Sequence, residues 1–308
     1  MLRLPFHRPH QLLLGLFLLT LQACHSEGLI KEHNHWIASR GTEIPITLTL
    51  PGKTGANKAQ ALPLVVMLHG HGGSRHESGA FIQVAQGLAE QGIASIRMDF
   101  PGCGDSREPF RKQRLSSMLA DATSARLWAT QNANIDPQRL GLLGFSMGGR
   151  LAVTLIQQDT QQDAEFQTLA LWAPSVDAGA SALHDFFGGE QHFLAMQTLA
   201  SREGFAPFTT SWGAQQELSA GWFADMTASR PLTLLSGYQG KLFVLYGSED
   251  KVVLPAESER ALTAAQNASA TTRHIVLGAG HGLGLFTDQP KLTREAVAAT
   301  VEFLSASL

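Results

Sequence analysis

The strongest constraint on the fold is a short apolar run that stops on a serine flanked by glycines. Residues 140–143 are Leu-Gly-Leu-Leu, residues 144–148 are Gly-Phe-Ser-Met-Gly, and a helix-like stretch follows from residue 150. A serine on a sharp turn from strand to helix exposes its hydroxyl, and the glycines leave no Cβ atoms to clash there. The next N–H lies at a helix N-terminus, where it can stabilise an oxyanion. Ser146 is therefore a candidate nucleophile, and the backbone N–H of Met147 is a candidate oxyanion donor.

Three further apolar runs end in loops that carry histidine, acid or glycine. The runs 62–68, 241–246 and 272–277 lead into 69–73 (His-Gly-His-Gly-Gly), 247–250 (Gly-Ser-Glu-Asp) and 278–282 (Gly-Ala-Gly-His-Gly). Open α/β sheets place their sites at the carboxyl ends of strands. We therefore expect Asp250 and His281 to lie beside Ser146, with Glu249 and Asp177 as alternative candidates for the acid.

Predicted strands and helices alternate along most of the chain. Strands are predicted at 43–50, 62–68, 93–100, 140–143, 166–173, 241–246 and 272–277, and helices at 81–90, 115–129, 257–265 and 293–304. Alternating apolar and polar residues make 43–50 a half-buried strand near the sheet edge, and Asp136-Pro137 marks a turn before the nucleophile strand. This order predicts right-handed βαβ crossovers, and hence an α/β fold with a mostly parallel twisted sheet and helices on both faces.

The segment 178–240 interrupts this alternation between two predicted strands. It is far longer than an ordinary connection, and its nine aromatic residues make it more than twice as rich in aromatics as the rest of the chain. One interpretation is an inserted cap before the acid strand that lines a pocket for an apolar or aromatic group. The other is a small satellite core that packs on the sheet, and both can hold together.

Composition excludes several classes of function. Hydrophobic residues make up 44% of the chain and charged residues 16%, as in an ordinary globular protein. A net charge of −3 gives no basic surface for nucleic acid. The pairs His33/His35 and His69/His71 have a spacing seen in metal sites, but we interpret them as part of a polar stretch and of a turn loop. No metal site, cofactor or protein partner is predicted.

The N-terminus has the pattern of a targeting segment. Arg3 and Arg8 precede an apolar run at 12–21, which is too short to span a bilayer and suits a signal peptide. Residues 21–24, Leu-Gln-Ala-Cys, resemble a bacterial lipobox, in which Cys24 is lipidated. We therefore predict a lipoprotein signal peptide at 1–23, a polar tether at 24–36, and export to the cell envelope with Cys24 anchored at a membrane surface. The alternatives are a plain signal peptide, which leaves the protein periplasmic or secreted, and an uncleaved anchor.

The chain has two cysteines. If Cys24 is acylated, Cys103 is a lone thiol and no internal disulfide can form. Cys103 lies between two glycines and is a second candidate nucleophile, but the turn around Ser146 is better formed for that role.

Taken together, the motifs resemble the α/β-hydrolase superfamily, and within it the bacterial feruloyl (cinnamoyl) esterases and their acyl-peptidase-like relatives. The stretches that carry the resemblance are 69–73, the loop 99–106, the serine turn 144–149, the acid turn 246–250, and a cap of similar size that includes 218–226. The resemblance covers most of residues 40–308, so we assign 37–308 to one hydrolase domain. The order of Ser146, Asp250 and His281 in the chain is also that of this superfamily.

The resemblance implies a serine hydrolase of the carboxylesterase type (EC 3.1.1) that needs no metal or organic cofactor. Ser146 would attack a small-molecule ester, His281 would act as its base, and Asp250 would orient the imidazole. The N–H groups of His71 and Met147 would form the oxyanion hole. A peptidase or thioesterase on the same scaffold is one alternative, and a non-catalytic surface lipoprotein is another.

Overall fold

A computed structural model of the chain describes residues 30–52, 60–160 and 166–308. The predicted signal peptide and Cys24 lie outside these residues. No helix in the described part of the chain is long and apolar enough to span a membrane.

Ten strands and eight α-helices make up the regular structure of the described residues. The strands are β1 Lys31–Ser39, β2 Thr42–Leu50, β3 Leu62–Leu68, β4 Ala94–Met98, β5 Ile135–Phe145, β6 Phe166–Trp172, β7 Phe205–Thr209, β8 Gln215–Ser219, β9 Lys241–Gly247 and β10 Ala270–Val276. The helices are α1 Ala80–Glu90, α2 Leu115–Asn132, α3 Met147–Thr160, α4 Glu190–Glu203, α5 Ala220–Ala228, α6 Pro231–Leu235, α7 Pro255–Ala264 and α8 Pro290–Ser307. Each strand and helix that the sequence predicts has a counterpart here, with bounds shifted by a few residues.

Eight of the strands form one mixed sheet in the order β1-β2-β4-β3-β5-β6-β9-β10. The six strands from β4 to β10 are parallel, while β2 is antiparallel to both β1 and β4. Residues 64–68 of β3 are fully buried, as expected for a central parallel strand covered by helices on both faces. The predicted α/β fold with a mostly parallel sheet is therefore confirmed, and β5 places Ser146 near the middle of its carboxyl edge.

The predicted tether is wrong for residues 31–36. These residues belong to β1, which pairs with β2 from Lys31 opposite Leu50 to Ser39 opposite Thr42. The error has a physical cause: β1 is an edge strand and the side chains of 31–36 are exposed, so their polar sequence resembles that of a solvated linker.

Two local predictions also need correction. Residues 44–49 of β2 are all buried instead of alternating, because both α1 and α2 pack against this strand. Asp136-Pro137 lies inside β5 rather than before it. The register between β3 and β5 shifts at this end, which lets the strand accommodate a proline that cannot donate to the ladder.

The segment 178–240 lies between β6 and β9, which are neighbours in the sheet. We call it the cap. It contains α4, the β7-β8 hairpin, α5 and α6, and most of its buried side chains form a hydrophobic cluster separate from the main core. The cluster contains Leu183, Phe187, Phe193, Met196, Ala200, Ala206, Phe208, Leu218, Trp222, Phe223 and Met226. Most of the aromatic enrichment of the cap therefore serves a satellite core.

Candidate active site

Ser146 occupies a strained turn between β5 and α3. Its φ is +54°, a left-handed conformation that is rare for a residue other than glycine. Such strain persists only where the surroundings fix the backbone. Here the N–H of Ser146 donates to the carbonyl of Trp172 at 2.9 Å, and the N–H of Ser175 donates to the carbonyl of Ser146 at 3.1 Å. The turn therefore presents the hydroxyl at the carboxyl edge of the sheet, as the motif predicts.

The glycines of the motif are required by close backbone contacts. A Cβ on Gly148 would overlap the carbonyl oxygen of Leu68 at the end of β3, and a Cβ on Gly144 would overlap Gly148 itself. A Cβ on Gly149 would lie 2.7 Å from that of Pro174. The spacing of glycines around Ser146 thus follows from how tightly α3 packs on the strands.

The structure brings Ser146, His281 and Asp250 into one hydrogen-bonded chain. Nδ1 of His281 lies 2.8 Å from Oδ2 of Asp250, and Nε2 of His281 lies 2.9 Å from Oγ of Ser146. Because the carboxylate only accepts, Nδ1 carries the proton and Nε2 is free to accept the serine hydroxyl. This is the arrangement that lets an imidazole act as a general base towards a serine.

Asp250 is buried and its carboxylate is fixed on both oxygens. Its side chain is fully inaccessible to solvent, and Oδ1 accepts the N–H groups of Val252 and Val253 at 2.8 and 2.9 Å. Of the two alternative acids, Glu249 is exposed and Asp177 pairs with Arg260. Asp250 is the predicted acid that contacts His281.

Cys103 lies in the loop that follows β4. Its side chain is buried, and its Sγ lies 3.1 Å from Nε2 of Gln113. Burial raises the pKa of the Cys103 thiol to about 12. A thiol that stays protonated is a poor nucleophile, so the geometry favours Ser146.

The loop 69–73, which follows β3, is held in a tight turn by its own first residues. The N–H of Gly73 donates to the carbonyl of Gly70 at 3.1 Å. Nε2 of buried His69 accepts the N–H of Phe100 at 3.2 Å, so Nδ1 carries the proton and donates to the same Gly70 carbonyl at 2.8 Å. Burial also lowers the pKa of His69, which keeps it neutral. The Gly70 carbonyl therefore accepts two hydrogen bonds. It shares a peptide unit with the N–H of His71, so these bonds polarise that N–H as a donor.

The loop 69–73, which we call the oxyanion loop after its predicted role, packs directly against Ser146. A Cβ built on Gly70 would lie 3.5 Å from the Cβ of Ser146. On the other side of Ser146, Met147 is the first residue of α3, and the first N–H groups of a helix have no partner within it. Of the two predicted oxyanion donors, Met147 thus directly follows Ser146, and His71 directly follows Gly70, which packs on Ser146.

The side chain of His71 contacts the cap, which sequence reasoning did not anticipate. Its Nε2–H donates to Oε1 of Gln216 on β8 at 2.7 Å. Its ring lies 5.4 Å from that of Phe110, 5.2 Å from Phe186 and 6.0 Å from Trp222. Burial lowers the pKa of His71 to about 4, so it is neutral near neutrality. The high aromatic content of the cap pointed towards Phe186 and Trp222, whereas nothing in the sequence singles out Gln216 or Phe110.

Within the described ranges, no three His, Cys, Asp or Glu side chains are grouped so as to hold a metal ion. His69 and His71 each make the hydrogen bonds described above. His33 and His35 lie on the exposed edge strand β1.

The fold and this geometry define an α/β hydrolase, and comparison with known proteins agrees. The model of the Alpha/beta hydrolase family matches residues 65–296. The chain therefore belongs to the alpha/beta hydrolase family. The matched range contains Ser146, Asp250 and His281, as well as the cap.

The chain is also similar over short stretches to curated bacterial proteins. It is 32% identical over 97 residues to an uncharacterized 31.7 kDa protein encoded in the traX-finO intergenic region of Escherichia coli, which is 32% of this chain and 33% of that protein. It is 33% identical over 90 residues to the quorum-quenching protein AidA of Acinetobacter baumannii, which is 29% of each chain. The chain thus matches about a third of the length of these relatives.

Solved structures share the fold at low sequence identity. A putative hydrolase from Agrobacterium vitis superposes with a TM-score of 0.68 at 19% identity, covering 89% of this chain and 99% of the other. Est1E from Butyrivibrio proteoclasticus, solved with ferulic acid bound, superposes with a TM-score of 0.66 at 18% identity, covering 89% and 98%. A puromycin-hydrolyzing peptidase from Mycobacterium tuberculosis gives a TM-score of 0.65 at 20% identity, covering 93% of this chain and 41% of that one.

Proposed function

We propose that this hydrolase is a serine carboxylesterase that works through an acyl-serine intermediate. The observation that carries the proposal is the hydrogen-bonded chain from Ser146 through His281 to Asp250. This chain of hydrogen bonds lies next to the glycine-rich loop 69–73, which follows β3, and next to the N-terminus of α3. An esterase needs this combination of nucleophile, base and paired oxyanion donors.

In the proposed reaction, Nε2 of His281 takes the hydroxyl proton while Oγ of Ser146 bonds to the ester carbonyl carbon. The carbonyl oxygen becomes an oxyanion that accepts the N–H groups of His71 and Met147, each of which lowers the barrier by about 3 kcal/mol. Asp250 stabilises the imidazolium. The carbon–oxygen bond to the alcohol then breaks, and His281 returns the proton to the departing oxygen. Water attacks the acyl-serine by the same steps and releases the acid.

The aromatic wall beside His71 supports an apolar or aromatic acyl group as the substrate class. Phe186 is half-buried rather than part of the buried cap cluster, and its ring also lies 6.2 Å from the exposed ring of Trp212. Aromatic rings stack favourably on such faces. Est1E binds ferulic acid, which makes ferulate esters a sensible first test for the present chain.

The test is hydrolysis of p-nitrophenyl esters of graded chain length, with methyl ferulate, by the purified protein and by Ser146→Ala. We expect turnover by the wild type that disappears in the variant, and a chain-length optimum that reports the size of the acyl pocket. A wild-type protein that reacts with a fluorophosphonate probe but hydrolyses no ester would instead favour peptide or thioester substrates. A protein that neither turns over nor reacts with the probe would contradict a catalytic role.

We also propose that the protein is exported and anchored through a lipidated Cys24. β1 runs parallel to β4, so Lys31 starts at the amino edge of the sheet, opposite the carboxyl edge that holds Ser146. A chain reaches about 3.5 Å per residue at most, so an anchor seven residues before Lys31 leaves the candidate site unobstructed. Cys24→Ala should release the protein from the membrane fraction without changing kcat, and retention of the variant on membranes would contradict the proposal.

A further inference from the structure

A buried glutamate lies behind the oxyanion loop. Glu77 is only 2% exposed, and its Oε2 accepts the N–H of Gly70 at 2.8 Å. A Cβ on Gly73 would lie 2.9 Å from the same oxygen. The carboxylate therefore fits inside the turn that runs from Gly70 to Gly73.

This arrangement is costly to maintain. Glu77 and Ser78 both have left-handed backbones, with φ of +41° and +49°, and a buried carboxylate loses its hydration. Strained residues persist where surrounding structure holds them, and they cluster at functional sites. The group that Glu77 holds is Gly70, which packs against Ser146 and directly precedes His71.

We propose that Glu77 is a positioning residue for the oxyanion hole, and that its carboxylate fixes Gly70 so that the N–H of His71 faces the reacting carbonyl. This inference rests on the proposed function. Gly70 is held from two sides: His69 donates to its carbonyl, and Glu77 accepts its N–H. Glu77 itself does not touch the substrate and acts only through the loop.

The proposal predicts an effect on the transition state and not on substrate binding. An oxyanion donor contributes mainly when negative charge develops on the carbonyl oxygen. Loss of the Glu77 carboxylate should therefore lower kcat and leave KM nearly unchanged. A displacement of about 1 Å at a catalytic group costs on the order of 100-fold in rate.

The same carboxylate makes the loop sensitive to pH. Burial raises the pKa of Glu77 to about 7, although the N–H of Gly70 opposes the shift. A titratable group close to Glu77 is the thiol of Cys103, which stays protonated. Asp99 lies beyond Cys103 and is paired with Arg75. His76 precedes Glu77 in the chain and is exposed. A carboxylate is a stronger acceptor than a neutral acid, so Gly70 is held most firmly above this pH.

The first experiment compares kcat and KM of the wild type with Glu77→Ala, Glu77→Gln and the control Glu90→Gln. Glu90 is an exposed residue at the end of α1. We expect Glu77→Ala to lower kcat about 100-fold with KM within threefold. Glu77→Gln keeps an oxygen that can accept the N–H of Gly70, so it should restore most of the rate. The control should match the wild type.

The second experiment uses pH. The ionised carboxylate of Glu77 holds Gly70 more firmly than the neutral acid does, so the ratio of the wild-type kcat to that of Glu77→Gln should rise as pH rises through about 7. Stability gives a readout without activity. The folded pKa of Glu77 is raised, so its stabilising contribution is complete below its unfolded pKa and is lost as pH rises through about 7. The melting temperature of Glu77→Gln should therefore gain on that of the wild type between pH 5 and pH 8.

Three results would overturn the inference, provided that the wild type hydrolyses esters and that Ser146→Ala abolishes this activity. These are an unchanged kcat in Glu77→Ala, equal losses of kcat in the Ala and Gln variants with a ratio of wild-type to Glu77→Gln kcat that does not change with pH, and a melting difference that does not depend on pH. If Glu77→Ala fails to fold, the pH dependence of kcat and the melting data for Glu77→Gln decide alone. A wild type without esterase activity would contradict the proposed function instead, and the melting data would still report whether Glu77 titrates as described.

Discussion

The serine turn and the cap above it are built by different means. The first is held by backbone: Ser146 bonds to Trp172 in β6, and Gly148 packs on the carbonyl of Leu68. The cap instead has a side-chain core of its own. It meets the body through side chains, among them the pair of His71 with Gln216.

In the proposed esterase, this difference separates the residues that carry out the reaction from those that select the substrate. Backbone contacts at the serine turn leave no room for a larger residue, so the position of Ser146 does not depend on the side chains of the cap. Side chains in the cap can be exchanged as long as their total volume is kept. We therefore expect the cap to be the part of the proposed esterase in which acyl preference can change without loss of the reaction.

The largest expected effect is the loss of the nucleophile. Ser146→Ala should lower kcat by about 10⁴-fold or more, because the remaining catalysis comes only from binding and the oxyanion hole. The measurement is ester turnover at saturating substrate, with the melting temperature as a check on folding. Residual activity above 1% would show that another group can act as the nucleophile.

The acid at the edge of the sheet comes next. Asp250→Asn should reduce kcat by roughly 10⁴-fold, because an amide stabilises the wrong tautomer of His281. The matched control is Glu249→Gln, one residue earlier and exposed, which should stay within twofold of the wild type. Comparable losses in both variants would contradict the assignment of Asp250.

Two glycines test the contrast in stability. Gly148→Ala should cost about 3 kcal/mol or more in the free energy of unfolding, because its Cβ would overlap backbone. Gly213→Ala in the cap should cost about 1–2 kcal/mol, since its φ of +86° is strained for alanine but no atom lies within 4 Å of the new Cβ. Chemical denaturation measures both, and equal costs would remove the proposed distinction.

The aromatic wall beside His71, which we propose contacts the acyl group, should show a smaller effect. Phe186→Ala should raise KM for methyl ferulate about 5-fold, because an aromatic pair contributes about 0.5–1.5 kcal/mol. Hydrolysis of p-nitrophenyl acetate, whose acyl group has only two carbons, should change little. Leu194→Ala, at an exposed position of α4, is the control, and an equal effect of Phe186→Ala on both esters would contradict a role in acyl recognition.

The smallest effect is expected at the rim of the cap. Arg111 and Glu217 form an ion pair of 2.8 Å with both side chains substantially exposed. Exposed pairs contribute about 0–1 kcal/mol, so Arg111→Ala should shift the melting temperature by little and leave kcat unchanged. A large loss of activity would mean that this contact, and not the hydrophobic cluster, sets the position of the cap.

Much of the fold was predictable because it depends on local pattern. Apolar runs of strand length and helical spacing predicted the parallel sheet, and each loop with a candidate group follows a strand. The errors arose where neighbours decided the outcome. Residues 31–36 have a polar sequence and still form β1, because their backbone pairs with β2.

In the candidate site, too, contacts between residues close in the chain were predictable and contacts between distant residues were not. Ser146 was predictable because its turn depends on adjacent residues, and the order of Asp250 and His281 followed from the strands before them. The contact of His71 with Gln216 joins residues 145 positions apart, and no local pattern reports it. The burial of Glu77 was equally invisible, because a glutamate in a loop is ordinarily exposed.

The amino-acid sequence by itself therefore determined the class of fold, the strained turn at Ser146 and the edge of the sheet where the reacting groups gather. These features follow from steric rules and periodicities that act over a few residues. Only the tertiary structure decided that Asp250, rather than Glu249 or Asp177, contacts His281, and that the cap meets the oxyanion loop at His71. Such choices depend on distances between segments far apart in the chain, which are set only when the sheet and the cap have packed.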